Sequence, residues 1–90
     1  MSTYDETESL TTHVLRLRVS AESDPGALPR VLANFQNLNL VPRRVRAEFG
    51  SSNELHIEVD IADFSEHRLS IITKKIAQMP SVLSAYWHPI

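Results

Sequence analysis

The stretch 23-SDPGAL-28 decides the fold, because an alternating strand pattern changes there to a helical pattern. Asp24 suits a helix N-cap, and Pro25 suits the first helical position, where its missing amide would have had no partner. The amides of Gly26 and the two residues after it would then lie free at the positive end of the helix dipole. Since Gly26 has no Cβ, a ligand or a neighbouring chain can approach its backbone. The alternative is that Asp24 only caps its own helix.

A strand and a helix flank this turn. From residue 13 to residue 20 every second residue is apolar, which predicts a half-buried strand. After the turn, apolar residues recur at helical spacing. They are Leu28, Val31, Leu32 and Phe35. Pro29 lies near the start of this helix and predicts an irregular first turn. Asn37 and Asn39 predict its end, since asparagine tolerates a left-handed cap.

The second half of the chain predicts a hairpin, a helix and a last strand. Residues 40–49 and 55–61 alternate as strands around a turn at 50–53, and Pro42 places the first of them at a sheet edge. The inward-facing residues predicted for that edge strand are Val45, Ala47 and Phe49. Asp63 and Glu66 could form a capping box for the second helix, with Ser65 as a competing cap.

The second helix is predicted from a buried stripe that runs up to Pro80. Its members are Leu69, Ile72, Ile76 and Met79. Residues 82–88 are rich in β-forming side chains and predict a fourth strand, in which Tyr86 and Trp87 are expected to pack on the core.

This order of elements predicts an α+β, ferredoxin-like βαββαβ fold, with a four-stranded antiparallel sheet and two helices on one face. Residues 1–11 are predicted to be a flexible tail, and residues 12–90 a single domain. The first and third strands should be central. Their outward-facing arginines and carboxylates should then alternate in sign across the open face of the sheet.

Composition narrows the classes of function. The chain has 90 residues, of which 42% are hydrophobic, and it has no cysteine. It contains no apolar run of about 18 residues and no basic, apolar leader, which predicts a cytoplasmic protein without a membrane partner. Three of the 11 acidic residues lie in the first eleven positions, so the domain itself is nearly neutral. That balance does not favour nucleic acid as a partner.

The titratable residues do not form an enzymatic motif. The four histidines fall on different elements or faces, although His13 and His88 could approach each other on adjacent strands. Without cysteine or carboxylate neighbours they do not predict a metal site. No serine lies in a nucleophile motif. The sequence therefore predicts a non-catalytic protein without metal or cofactor.

RNA-recognition modules share the predicted architecture, so RNA binding is a further alternative. Such modules stack bases on aromatic residues of the two central strands. Here the exposed positions of those strands carry no aromatic residue. They are Arg16, Arg18, His56, Glu58 and Asp60. The basic residues 43–46 are the one feature that favours phosphate.

The span from about His13 to Trp87 resembles an ACT domain, a small regulatory module that binds amino acids in metabolic enzymes. The resemblance rests on the turn Asp24-Pro25-Gly26-Ala27-Leu28 after an apolar strand, on Val31-Leu32-Ala33-Asn34-Phe35, and on the passage Leu38-Asn39-Leu40 into the second strand. In length and in the lack of a catalytic region, the chain is most similar to the short small subunits of acetolactate synthase.

The resemblance implies an allosteric role in amino-acid metabolism and a site shared by two copies. The resemblance implies that the Asp24 carboxylate faces the ammonium group of an amino-acid effector at the Pro25 turn. It also implies that three backbone amides bind the carboxylate of the effector. Those amides are the ones of Gly26, Ala27 and Leu28. Asn39 and Val41 of a second copy would form the other wall, in a homodimer paired through the second strands. The implied partner is the catalytic subunit of a biosynthetic enzyme. Because Pro29 and Pro42 depart from the pattern, an assembly subunit that binds no ligand is the alternative.

Overall fold

The computed structural model describes residues 13–90, so the tail predicted for residues 1–11 lies outside the described residues. The strands and helices follow the predicted order. They are β1 Val14–Ala21, α1 Ala27–Gln36, β2 Arg44–Phe49, β3 Leu55–Ala62, α2 Glu66–Ala77 and β4 Val82–Pro89. The four strands form one antiparallel sheet in the order β2-β3-β1-β4. The predicted ferredoxin-like fold is confirmed.

The core lies between the two helices and one face of the sheet. Alternate residues of β1 are buried, starting at Leu15, and alternate residues of β3 pack beside them. The helices contribute the apolar stripes that their spacing predicts. The buried helical residues of this cluster are Val31, Phe35, Leu69, Ile72 and Ile76. Both helices therefore cover the same face, as the sequence predicts.

The open face of the sheet carries the predicted alternation of charge. Arg16 donates two hydrogen bonds to Asp60, at 2.7 and 2.9 Å. Arg18 pairs with Glu58 and also donates to His88 Nε2 at 3.0 Å. The hydrogen bonds from Arg16 lower the pKa of the Asp60 carboxyl, although its burial opposes that shift. The two arginines of β1 thus have carboxylate partners on β3.

Three predictions about the helix starts and the last strand need correction. Helix α1 starts at Ala27 rather than at Pro25, and its N-cap is Gly26, without a side-chain cap. Helix α2 is capped by Ser65, whose Oγ accepts from the Arg68 amide at 3.2 Å, so the capping box from Asp63 is wrong. In β4, Trp87 packs on the core but Tyr86 points to the open face and is 55% exposed.

The two prolines noted as departures fit the backbone well. Pro29 is the third residue of α1, where its missing N–H is one of the four that an α-helix leaves unpaired. The first bond of the helix runs from the Arg30 amide to the Gly26 carbonyl, at 3.1 Å, so the first turn is regular. Pro42 precedes β2, which begins at Arg44 instead of residue 40. It therefore costs no ladder hydrogen bond.

Strand β2 lies at the edge of the sheet, as Pro42 predicts, but it is not buried. Val45 and Phe49 lie opposite Val59 and Leu55 and so share the helix-side face of the sheet. They are nevertheless 42% and 65% exposed. The helices do not extend over this edge, so the strand presents an apolar face and an unpaired backbone edge.

Candidate functional site

The first half of the predicted site is the turn into α1, where the Asp24 carboxylate organises its surroundings. Its Oδ1 accepts a hydrogen bond from the Gly26 amide at 3.0 Å. Its Oδ2 accepts from the Ser81 hydroxyl at 2.7 Å and from the Arg30 guanidinium at 2.9 Å. These three donors, with the Gly26 amide first, lower the pKa of Asp24 to about 2. Asp24 is thus an ionised carboxylate that closes a turn rather than an N-cap.

The backbone donors expected at this turn are mostly used within it. The Gly26 amide binds the Asp24 side chain, and the Ala27 amide donates to the Asp24 carbonyl at 3.0 Å. The Leu28 side chain is partly buried and packs against the core. Two of the three amides assigned to an effector carboxylate are therefore already paired in the single chain. An effector carboxylate could therefore not bind all three amides as the single chain holds them.

Arg30 and Ser81 complete the turn, and neither role was predicted from the sequence. The Arg30 guanidinium lies directly over Gly26, since a Cβ built there would come within 2.7 Å of its Nη2. This contact explains the glycine better than backbone conformation does, because the φ of Gly26 is −84°, which any residue adopts. Ser81 comes from the connection between α2 and β4, 57 residues from Asp24. No local pattern could reveal such a contact.

The second half of the predicted site, Asn39 and Val41, lies beside an apolar cavity of about 380 Å³ between α1 and β2. Asn39 has a φ of 61°, the left-handed conformation that ends the helix and directs the chain towards β2. Val41 is 86% exposed at the rim. The other residues that line the cavity are Leu32, Phe35, Gln36, Leu40, Pro42 and Val45.

The single chain does not bring the two halves together. The Asp24 turn precedes α1, and Asn39 and Val41 follow it. The 10 residues of α1 separate them by about 15 Å at 1.5 Å per residue. An amino acid that contacts both halves cannot do so within one copy.

The rest of residues 13–90 contains a further cavity to consider as a site. A cavity of about 430 Å³ lies where β1 begins and β4 ends, and it is lined in part by His13, Asp63 and Glu66. Within the described part of the chain, no group of three or more histidines or carboxylates is placed to hold a metal ion. His88 contacts Arg18, and the His13 backbone pairs with Asp63, so the two histidines have separate neighbours. Among the helices of residues 13–90, none is both long and apolar enough to cross a membrane.

Strand order, helix placement and the turn into α1 together define a small ferredoxin-like α+β domain with a helix-start turn at one end of its sheet. Within that class, the family model of the ACT-like domain matches residues 7–90, and the chain belongs to this family. No curated protein matches the sequence. The resemblance to an ACT domain is confirmed.

Solved structures agree with this fold. The chain is similar to the ACT domain of GTP pyrophosphokinase from Chlorobium tepidum, with a TM-score of 0.71, 12% identity, and 87% of this chain and 100% of that one covered. It is also similar to the C-terminal domain of the MgtC protein from Mycobacterium tuberculosis, with a TM-score of 0.71, 14% identity, and 87% of each chain covered. A formyltetrahydrofolate deformylase from Pseudomonas syringae gives a TM-score of 0.72 at 14% identity, over 98% of this chain and 32% of that one.

Proposed function

We propose that this protein is a non-catalytic regulatory module of the cytoplasm that binds a small amino-acid effector between two copies and regulates a metabolic enzyme. Acetolactate synthase is the first candidate target, because the chain resembles its short small subunits. The observation that carries the proposal is the separation of the two half-sites by the length of α1. A complete site requires a second copy, which contributes the half-site at the other end of its own α1.

A two-fold pairing of β2 strands supplies that arrangement. Helix α1 lies next to β2, since Leu32 and Phe35 line the same cavity as Val45. Pairing β2 antiparallel to its copy would therefore set the two α1 helices antiparallel and side by side. The Asp24 turn of one copy would then lie near Asn39 of the partner subunit, and the same contact would recur across the axis.

The residues of β2 favour one register for this pairing. Directly opposite residues in an antiparallel pair share a face, so the two-fold axis must pass through a residue and not between two. With the axis on Ala47, Val45 faces Phe49 of the partner subunit, and Arg46 faces Glu48 of the partner subunit. An axis on Arg46 or on Glu48 would instead place like charges opposite each other. Apolar and charge complementarity thus support a pairing centred on Ala47.

One observation favours a second candidate function, an assembly subunit that binds no effector. In the single chain the Asp24 carboxylate already accepts three hydrogen bonds, and Arg30 covers Gly26. Because these charged groups are already paired within the turn, a ligand must replace existing contacts to bind there. This candidate keeps the β2 pairing and the enzyme partner but does not include amino-acid sensing.

Calorimetric titration of the full chain with each of the twenty L-amino acids separates the two candidates. A sensor gives saturable heat with at least one of them, and Asp24→Ala removes that heat, because the ammonium group loses its carboxylate. An absence of response to all twenty would reject the sensor. Co-purification of an acetolactate synthase catalytic subunit with both wild type and Asp24→Ala would then support the assembly role.

A further inference from the structure

We infer that Arg30, rather than the amides of the turn, binds the carboxylate of the effector, and that it does so by exchanging its contact with Asp24 for one with the ligand. This inference rests on the proposed function and makes it more specific. The family resemblance implies that the amides of Gly26, Ala27 and Leu28 bind this carboxylate. The structure gives the first two of these amides internal acceptors.

The position of Arg30 suits this role. Its guanidinium lies over Gly26, in the space that a ligand approaching the turn would enter. A guanidinium has five N–H donors in a planar fork that matches a carboxylate. Among the described residues, Asp24 is the one acceptor that this fork contacts, through Nη1 at 2.9 Å. An Arg30 side chain that releases Asp24 can offer the whole fork to the carboxylate of the effector.

Charge also matches a zwitterion. Asp24 and Arg30 present one negative and one positive group, 2.9 Å apart, at the same turn. An α-amino acid carries the same two charges on groups attached to one carbon, so its ammonium can pair with Asp24 while its carboxylate pairs with Arg30. The Arg30 side chain is 47% exposed, so it can move aside without leaving a buried charge unpaired. The exchange keeps every charge paired.

A site made of neutral backbone amides would not discriminate as strongly between a carboxylate and a carboxamide. Because the carboxylate is recognised by a guanidinium and not by neutral amides, the effector must keep its negative charge. An α-carboxamide of the same amino acid retains the shape and the ammonium but loses that charge. We therefore expect it to bind at least about tenfold more weakly, since a charge-assisted bidentate contact is lost.

The test compares each of the twenty L-amino acids with its α-carboxamide, by calorimetric titration of wild type, Arg30→Gln and Arg30→Lys. Arg68→Gln is the matched control, because it makes the same change of charge at an exposed arginine on α2 whose guanidinium lies over Phe64. The decisive quantity is the affinity for the acid divided by the affinity for the carboxamide. A merely structural Arg30 would lower both affinities together and leave this ratio unchanged.

For an amino acid that binds wild type, we expect the ratio to be about tenfold or more in wild type and in Arg68→Gln. It should fall to near one in Arg30→Gln and lie between these values in Arg30→Lys, which keeps the charge but loses the fork. An unchanged ratio in Arg30→Gln would overturn the role of Arg30 while the proposed function stands. Wild type that binds none of the twenty amino acids would overturn both.

Discussion

Replacing Phe49 by serine tests the pairing of β2 strands, because this side chain is the largest apolar group on the uncovered edge. Phe49 is 65% exposed in the single chain. A phenylalanine side chain presents about 200 Å², so about 130 Å² is available for burial, and about 65 Å² if the pairing covers half of it. At about 25 cal/mol per Å² that burial contributes about 1.6 kcal/mol per copy. Two copies contribute about 3 kcal/mol, so the dimer Kd should rise about 200-fold.

Sedimentation equilibrium over a range of protein concentrations measures this change directly. The matched control is Tyr86→Ser, which removes an exposed aromatic residue from β4, at the other edge and on the open face of the sheet. We expect the control to dimerise like wild type and Phe49→Ser to dissociate at concentrations where both are dimers. A Kd for Phe49→Ser within threefold of the wild-type value, or a larger effect of Tyr86→Ser, would refute the β2 interface.

One further prediction concerns the β2 pairing, and two concern the turn into α1. Reversing one charge of the edge strand, with Arg46→Glu or Glu48→Arg, should weaken the dimer about three- to tenfold, and the double reversal should restore it, with smaller effects in high salt. Asp24→Asn should lower Tm at neutral pH. The difference from wild type should disappear as pH falls from the ordinary pKa of 3.8 through the folded pKa of about 2, because the hydrogen bonds of the turn stabilise only the ionised carboxylate. Gly26→Ala should change stability by less than about 1 kcal/mol, since its φ is compatible with alanine, but crystallography of this variant should show Arg30 displaced from Asp24.

The order of elements and the core could be predicted from sequence, because each helix and central strand repeats its apolar residues with the period of its structure. Leu15 in β1 and Leu69 in α2 are buried for that reason. The boundaries were harder. At Pro25 the sequence favoured a helix start, but the Asp24 side chain binds the Gly26 amide and forms a separate turn first. The helix therefore begins only at Ala27.

The candidate site was predicted only in part, because its contacts depend on tertiary structure. Asp24 and Asn39 could be identified from their positions in a recognisable turn and helix end. Ser81 could not, since it reaches Asp24 only through the packing of α2 and β4. The exposure of Phe49 was missed for a similar reason. An alternating pattern indicates which face of the sheet a residue shares, but not whether a helix extends far enough to cover it.

If the effector contacts both the Asp24 turn of one copy and Asn39 of the partner subunit, ligand binding and pairing become one coupled equilibrium. If the dimer binds the ligand more tightly than the single chain does, the ligand must raise the affinity of dimerisation by the same factor by which dimerisation raises the affinity for the ligand. In the single chain Arg30 already pairs with Asp24, so an effector that binds there must exchange this contact without the second half-site. On the proposed function, regulation would therefore require both the amino acid and a second copy.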